Sequence, residues 1–219
     1  MTRAPSPNYE QLRRMLRLIG ILDAAEEVGL TPMPILSVHA IAYMADALAP
    51  VWNLPSLDSQ VFKRSRQPFF PRLQADLDSL VGKGVVVAEG LGYESIGSDG
   101  SRLVADYELR RIWAEPILKE ARRYESQNRD LEFVREVVYA TAGLGVAGLS
   151  QIEFADAAYG DPLVGIGGVV DIDRNDGRPN ATARAALRFG ELGDDSQVLT
   201  EAEKIHLYVR MMYSRIQVA

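Results

Sequence analysis

The sequence predicts a mainly helical fold with a small antiparallel β-hairpin. Apolar residues recur at helical spacing over most of the chain, and glycine turns bound two short β-like runs near its middle. The 219 residues fit one large domain or two small ones. We expect a winged-helix-like part over residues 1–105 and a helical part over residues 106–219.

Composition limits the class of protein. The chain has a net charge of -6 and no cysteine, which excludes disulfides, thiol nucleophiles and thiolate metal sites. No apolar run approaches the roughly 20 residues that cross a bilayer, and residues 1–8 are polar and unlike a signal peptide. We therefore expect a cytoplasmic protein with no membrane segment, no metal and no cofactor.

The first half is predicted to contain three main helices and the hairpin. Asn8 is the expected N-cap of the first helix, whose apolar stripe runs from Leu12 to Ala25, and Leu36 to Leu48 gives the cleanest helical stripe in the chain. The remaining elements are a short helix over 59–66, a helix over 71–81 that starts with a proline, and strands over 85–88 and 93–96.

The second half is predicted to be helical with one irregular stretch. The pattern is helical from Arg102 to about Asn128, with a kink or two abutting helices expected at Glu115-Pro116, and Asp130 is expected to cap the next helix. Further elements are a short helix after the capping box 150–153, a candidate strand over 164–172, a helix over 180–187 and a last helix after the capping box 200–203.

The order of three helices followed by two strands over residues 9–105 is that of a winged helix. In that fold the third helix presents positive groups to a DNA groove, and the hairpin lies beside it. The connection from Pro50 to Pro71 is much longer than the turn of about three or four residues in a helix-turn-helix. Either the turn carries an insertion, or Ser59 to Arg66 is itself a helix of the motif.

A basic segment is the first candidate binding site. Residues 59–75 contain no aspartate or glutamate in an otherwise acidic chain, but they do contain Lys63, Arg64, Arg66 and Arg72. We expect these side chains to be exposed and to contact a phosphate group of DNA or an acidic partner surface. The alternative is a solvated loop whose cations pair with carboxylates elsewhere.

The last helix carries the second candidate site. Leu207, Met211 and Tyr213 lie off its main apolar face, which makes the stripe unusually wide. Such a stripe indicates either deep burial or a docking surface for another chain. Both interpretations are retained, and the three residues are candidate partner-docking positions.

Other polar residues give weaker signals. Asp171, Asp173 and Asn175 have the first spacings of a calcium loop, but its required glycine and glutamate positions are filled by Asp176 and Thr182. We therefore expect a polar turn there. The chain has neither of the glycine motifs that bind nucleotides and no G-x-S-x-G elbow, so we expect no enzymatic activity.

Three rings near the front of the chain are expected to be structural. His39 lies on the apolar stripe of the second helix, where a lone histidine is usually a core residue with its hydrogen bonds satisfied. Phe69 and Phe70 follow the basic segment, and we expect them to fill the core rather than to stack on bases.

Two sequence blocks, PFFPRLQADLDSLVGKGVVV and FADAAYGDP, together with the chain length and the helical first half, resemble a known family. They resemble the middle-component proteins of bacterial ABC-three-component systems, accessory subunits encoded beside an SMC-like ATPase and an effector in Lamassu-type antiphage operons. The resemblance covers about residues 10–160 and assigns no role to any single residue. It implies a non-enzymatic scaffold that bridges the ATPase and the effector in a DNA-associated antiviral defence complex.

A homodimeric winged-helix transcription regulator is the alternative function. It would associate with itself through the last helix and bind a specific duplex sequence, whereas the scaffold would capture protein partners. An enzyme of unrecognised type is a third possibility that no motif supports.

Overall fold

The computed structural model describes residues 7–64, 67–95, 101–149, 151, 155–160, 162–172, 179–191 and 198–218. Its helices are α1 Pro7–Glu27, α2 Ile35–Leu48, α3 Pro71–Gly82, α4 Arg111–Ala121, α5 Glu125–Ala142, α6 Gly145–Leu149, α7 Ala181–Arg188 and α8 Glu201–Val218. Its strands are β1 Met33–Pro34, β2 Gln60–Arg64, β3 Gln67–Phe69, β4 Val86–Ser95, β5 Ser101–Leu109 and β6 Val169–Asp171. The mainly helical class is confirmed, and the strands form two small antiparallel sheets where a single hairpin was predicted.

The first sheet is a long hairpin with a short third strand. Its order is β1-β5-β4, and the hairpin is paired from Val86 and Leu109 to Ser95 and Ser101. Two strands with a turn at Gly90 and Gly92 were predicted here. The structure instead has one continuous strand, β4, with an irregularity in register between Glu89 and Gly92. A bulge of this kind bends a strand without ending it.

The second sheet corrects the predicted helix over 59–66. Its residues 60–64 form β2, which pairs with β3 on one side and with β6 on the other. Val61 and Lys63 are buried while Phe62 is exposed, which is the alternation of a strand. The long connection between α2 and α3 therefore carries the strands β2 and β3, and residues 60–64 are not helical.

The predicted helix over 102–128 is wrong in its first part. Residues 101–109 form β5, in which Leu103, Ala105, Tyr107 and Leu109 alternate along one face. The helical stretch that follows is divided into α4 and α5 by residues 122–124, whereas Pro116 lies inside α4.

The core is formed around α2, which is buried over nearly its whole length. Helix α1 packs against both α2 and α5, and Gly20 lies close to α5, where an added Cβ would lie 2.7 Å from Leu131 Cδ2. These contacts join residues on both sides of position 105, and the division into two domains at that position stays a prediction.

The segment Ile35–Trp52 has the length and apolar composition of a membrane-spanning helix, and 83% of it is buried inside the fold. The expectation that no run approaches spanning length was therefore too strict. The burial accounts for the apolar composition, because a helix that is apolar on all sides is found in a core as well as in a bilayer.

An ion cluster ties three helices together inside the core. Arg17 of α1 donates to Asp46 of α2 at 2.7 Å and to Asp130 of α5 at 2.5 Å. Asp46 also accepts the backbone N–H of Leu57 at 2.8 Å. Asp130 was predicted to cap a helix, but α5 begins at Glu125, so this carboxylate lies within the helix and serves as an ion-pair partner.

Of the predicted caps, the box over 200–203 is present and Asn8 is not a cap, and Asn180 is a cap that was not predicted. Asn180 accepts the backbone N–H of Ala183 at 2.9 Å, and Thr200 and Glu203 exchange hydrogen bonds as a capping box. Helix α1 begins at Pro7, before the predicted cap Asn8. The capping box predicted over 150–153 falls mostly outside the described residues.

Candidate functional site

Lys63 of the basic segment is buried. It lies in β2 with an exposed fraction of 5%, and its Nζ is 5.6 Å from the centre of the Tyr159 ring. Its backbone N–H and C=O bond to Gly168 and Gly167. The expectation that its side chain is exposed is wrong, because the alternation of β2 turns it towards the core.

Arg72 of the same segment is exposed and lies in the first turn of α3. Its side chain is 71% exposed, and its Nη1 is 3.8 Å from Oδ1 of Asp58. Arg66 and the side chain of Arg64 lie outside the described part of the chain. The two cations that are described thus occupy different environments, and a binding role for the four residues stays a prediction.

The three rings near this segment are structural, as predicted. Phe70 is buried, Phe69 is half-buried, and the centre of the Phe69 ring lies 4.9 Å from that of His39. Burial lowers the pKa of His39 to about 4, so the ring is neutral near pH 7. Its Nδ1 accepts the backbone N–H of Phe70 at 3.3 Å, which leaves Nε2 to donate to Gln74.

The candidate docking residues on α8 are only partly exposed. Leu207 and Met211 are half-buried, and Met211 packs against the core. Tyr213 is 44% exposed. Most of the wide apolar stripe of α8 is therefore buried or half-buried in the fold. A docking role for these three residues stays a prediction.

The structure does not test the polar turn that was predicted in place of a calcium loop over 171–182. Residues 173–178, which include two of the three candidate ligands, lie outside the described part of the chain. No group of three or more His, Asp or Glu side chains that could hold a metal occurs among the described residues.

A buried carboxylate that the sequence did not indicate organises the C-terminal part. Asp156 accepts hydrogen bonds from the hydroxyls of Tyr43 at 2.5 Å, of Tyr208 at 2.8 Å and of Thr182 at 2.8 Å. Burial raises the pKa of Tyr43 and of Tyr208, and the charge of Asp156 raises both further. The hydroxyls of Tyr43, Thr182 and Tyr208 thus join α2, α7 and α8 to residues 155–160. No sequence signal could have found this cluster, because its members are far apart along the chain.

The hairpin β4–β5 presents carboxylates on the face opposite to that of Tyr107 and Leu109. Glu89 lies directly opposite Asp106, and Glu108 follows two positions along the same face of β5. Glu94 lies on this face near the end of the hairpin, opposite Arg102. This face of the hairpin is therefore acidic.

The other face of the hairpin is apolar and continues beyond the core. Near its base Tyr107 and Leu109 are buried, but towards its end Tyr93 and Leu103 lie opposite each other and are 78% and 53% exposed. Leu91, in the irregular stretch of β4, is 68% exposed. The apolar face of the hairpin is thus buried near its base and exposed towards its end, where no other described residues cover it.

Helix α3 does not offset the acidic hairpin. Its exposed positions include Arg72, Ala75 and Asp78, so one cation and one anion face the solvent. Asp76 is turned inwards, where it accepts from Arg14 at 2.7 Å and from Gln11 at 2.9 Å. Residues 71–109, from α3 to the end of β5, hold three lysines or arginines and seven aspartates or glutamates.

Comparison with known proteins identifies no family for the chain. No protein-family model matches it, and no curated protein is significantly similar to it.

Proposed function

We propose that this chain is a non-enzymatic accessory subunit of a DNA-associated bacterial defence complex with an SMC-like ATPase, and that it binds protein partners rather than the DNA duplex. The resemblance in sequence motivates the identity of the complex. The observation that carries the mode of action is the hairpin β4–β5, which is acidic on one face and exposes apolar side chains on the other.

The arrangement of the N-terminal elements supports a winged-helix unit. Helices α1, α2 and α3 precede the hairpin, and the short strand β1 between α1 and α2 pairs with β5 at the edge of the sheet. In a winged helix that binds DNA, the equivalents of α3 and the hairpin contact the duplex. The unit proposed here differs by the insertion of β2 and β3 between α2 and α3.

The charge of this surface argues against contact with a duplex. Proteins gain most of their affinity for DNA by neutralising phosphates with lysine and arginine. Here Glu89 and Asp106 lie opposite each other on the two strands of the hairpin, and Asp78 lies on the exposed side of α3. A phosphate backbone brought to this surface would be repelled, and the repulsion would be strongest at low salt.

The apolar end of the hairpin favours a protein partner. Tyr93, Leu103 and Leu91 are large side chains with more than half of their surface exposed, and aromatic residues of this kind are enriched at the centres of protein interfaces. Exposed apolar surface is unfavourable in water, and a partner that covers these side chains would gain the free energy of burying them. A scaffold subunit uses such a surface without any catalytic group.

Co-purification with the proposed partners is the direct test. We expect the tagged chain, co-expressed with the SMC-like ATPase and the effector encoded beside it, to copurify with both. Tyr93→Glu and Leu103→Glu place a charge in the apolar face and are expected to reduce recovery by at least about tenfold. Val198→Glu is the matched control, because Val198 is 93% exposed and belongs to a different segment of the chain.

Binding of duplex DNA distinguishes the alternative, a homodimeric winged-helix regulator. The order of elements from α1 to β5 is compatible with that alternative. We expect the isolated chain to show no binding of a labelled duplex tighter than about 10 µM at low salt, measured by anisotropy. A specific complex with nanomolar affinity, together with a stable dimer in sedimentation, would overturn the scaffold proposal.

A further inference from the structure

Strand β4 is an edge strand with one open side. The sheet order is β1-β5-β4, so β5 lies on one side of β4 and no described strand lies on the other. Within the described part of the chain, no hydrogen bond joins the backbone of residues 86–93 to a residue outside the hairpin. From Glu89 outwards the strand is mostly exposed. The unpaired N–H and C=O groups of such an edge are a template for one more strand.

A bulge limits indiscriminate pairing at this edge. Gly90 and Leu91 lie on β4 where only Ala105 lies on β5, and Gly90 has a φ of 60°. Bulges of this kind twist an edge strand away from regular pairing with other chains. A strand that pairs with β4 therefore has to match the side chains of the hairpin as well as its backbone.

The acidic face of the hairpin is not neutralised by its own chain. Glu89 is exposed, Asp106 is half-buried, and the two lie directly opposite each other. Like charges in this position destabilise a strand pair. Among the described residues no cation lies within ion-pair distance of Glu89, Asp106 or Glu108, although Lys83 and Arg110 flank the hairpin at its base. A cation from another molecule would relieve this repulsion.

The two faces of the hairpin define the side chains that a neighbouring strand needs. Successive residues of a strand point to opposite faces of the sheet. A strand beside β4 would therefore place every second side chain on the face of Tyr93 and Leu103, which are 78% and 53% exposed. Its other side chains would lie on the face of Glu89 and Asp106. Apolar residues that alternate with lysine or arginine meet both requirements.

A second copy of the chain does not meet them. Two copies that continued the sheet in antiparallel fashion through their β4 edges would be related by a twofold axis perpendicular to the sheet. The same face of each hairpin would then lie on the same side of the joined sheet. This arrangement brings carboxylates next to carboxylates, which is unfavourable.

We propose that β4 receives an extended segment of a protein partner as a fourth strand of the first sheet, and that apolar residues alternate with lysines or arginines in this segment. The proposal deepens the proposed function and rests on it, because it states how the hairpin recognises its partner. Backbone hydrogen bonds to the open edge hold the segment, and the two faces of the hairpin select its sequence.

Three labelled peptides of about nine residues test the proposal. In the probe, valine alternates with lysine, and a proline at each end limits association of the peptide with itself. One comparison peptide has glutamate in place of lysine, and the other has the composition of the probe with its valines and lysines grouped in two blocks. Anisotropy with the full chain is expected to show at least about tenfold tighter binding of the probe than of either comparison peptide. No binding of the probe, or a comparison peptide that binds equally well, would overturn the proposal.

Methylation of the peptide backbone tests for pairing along the edge. One version of the probe is N-methylated at its valines and the other at its lysines. In an antiparallel strand pair, the N–H groups that point to the neighbouring strand belong to alternate residues. We therefore expect one version to lose binding by at least about tenfold and the other to keep it. Equal binding of the two versions would show that the peptide is held by its side chains alone, which contradicts an added strand.

Charge reversal on the hairpin tests the selection of basic residues. Glu89→Lys combined with Asp106→Lys is expected to reverse the preference between the lysine and the glutamate peptide. Glu115→Lys combined with Glu132→Lys is the matched control, because it changes the net charge equally at exposed positions of α4 and α5. Glu89→Gln at its exposed position is the milder variant and is expected to weaken the probe by at least about threefold. An unreversed preference, or an equal effect of the control, would contradict recognition by the acidic face.

The outcome is separable from that of the proposed function. If the probe fails to bind while the chain still copurifies with the ATPase and the effector, the added strand is wrong and the scaffold role stands. If the probe binds as expected and copurification fails, recognition by the edge of β4 stands and the identity of the complex is wrong.

Discussion

Replacing Arg17 by methionine is expected to cost about 3–5 kcal/mol of unfolding free energy at neutral pH, the usual effect of breaking a buried ion pair. The guanidinium is 5% exposed, and its carboxylate partners Asp46 and Asp130 are 7% and 8% exposed. With all three groups ionised the cluster already carries one excess negative charge. Without Arg17, two carboxylates would remain buried with no cation between them.

The pH dependence follows from the sign of the pKa shift. Burial raises the pKa of Asp46 to about 6, and Arg17 opposes that rise, so the Arg17→Met variant has a still higher value. A carboxylate whose pKa is higher in the folded state than in the unfolded one destabilises the fold at high pH, and stability is regained as the pH falls through the folded pKa. The loss caused by Arg17→Met should therefore be smaller at about pH 5 than at pH 7.

Urea unfolding followed by far-UV circular dichroism measures the effect at both pH values. Arg123→Met is the matched control, because Arg123 and its partner Glu120 are 73% and 55% exposed, and such a pair contributes at most about 0.5 kcal/mol. Adding Asp46→Asn and Asp130→Asn to the Arg17 variant should recover most of the loss. A loss below about 1 kcal/mol at pH 7, or one that does not shrink at lower pH, would refute the reasoning.

Three further substitutions test the packing and polar contacts of the fold by urea unfolding. Gly20→Val is expected to cost about 1–3 kcal/mol, because its branched side chain has no room between α1 and α5; an unchanged midpoint would show that the helices separate easily. Tyr208→Phe should cost about 1–3 kcal/mol by removing a hydroxyl from a buried carboxylate, while Tyr213→Phe at an exposed position should not, and equal effects would contradict this. Lys63→Ala should lower the free energy of unfolding more than Arg72→Ala does, because only the lysine is buried. Equal stability of the two variants would contradict the burial of Lys63.

The long helices could be predicted because their signal is local. The stripes that begin at Leu12 and Leu36 repeat over several turns, and Pro71 marks the start of α3. The capping box at Thr200 fixes the start of α8 through two hydrogen bonds between neighbours. Each of these features depends on residues a few positions apart, so tertiary contacts did not have to be known.

Two strands were missed for different reasons: β2 has a partner that is distant in sequence, and the pattern of β5 also fits a helix. Strand β2 is flanked by β6, more than 100 residues away, and that contact helps to hold residues 60–64 extended. The alternation of Leu103, Ala105, Tyr107 and Leu109 was present in the sequence and indicates a strand. The charged residues between them also fit a helix, and pairing with β4 decides between the two structures.

The candidate sites show the same division. The sequence identified a cluster of cations but could not tell that the pleat of β2 buries Lys63. The side of α4 that packs inwards is settled by the burial of Ala114 and Leu118.

The sequence by itself determined that the chain is mainly helical, where its longest helices lie, and that its charge is unevenly distributed. Only the tertiary structure decided the pairing of the strands, the ion cluster of Arg17 and the partners of Asp156. It also decided which apolar side chains stay exposed. The physical reason is that helical periodicity and capping act between near neighbours, whereas burial of a side chain depends on the elements that pack over it from elsewhere in the chain.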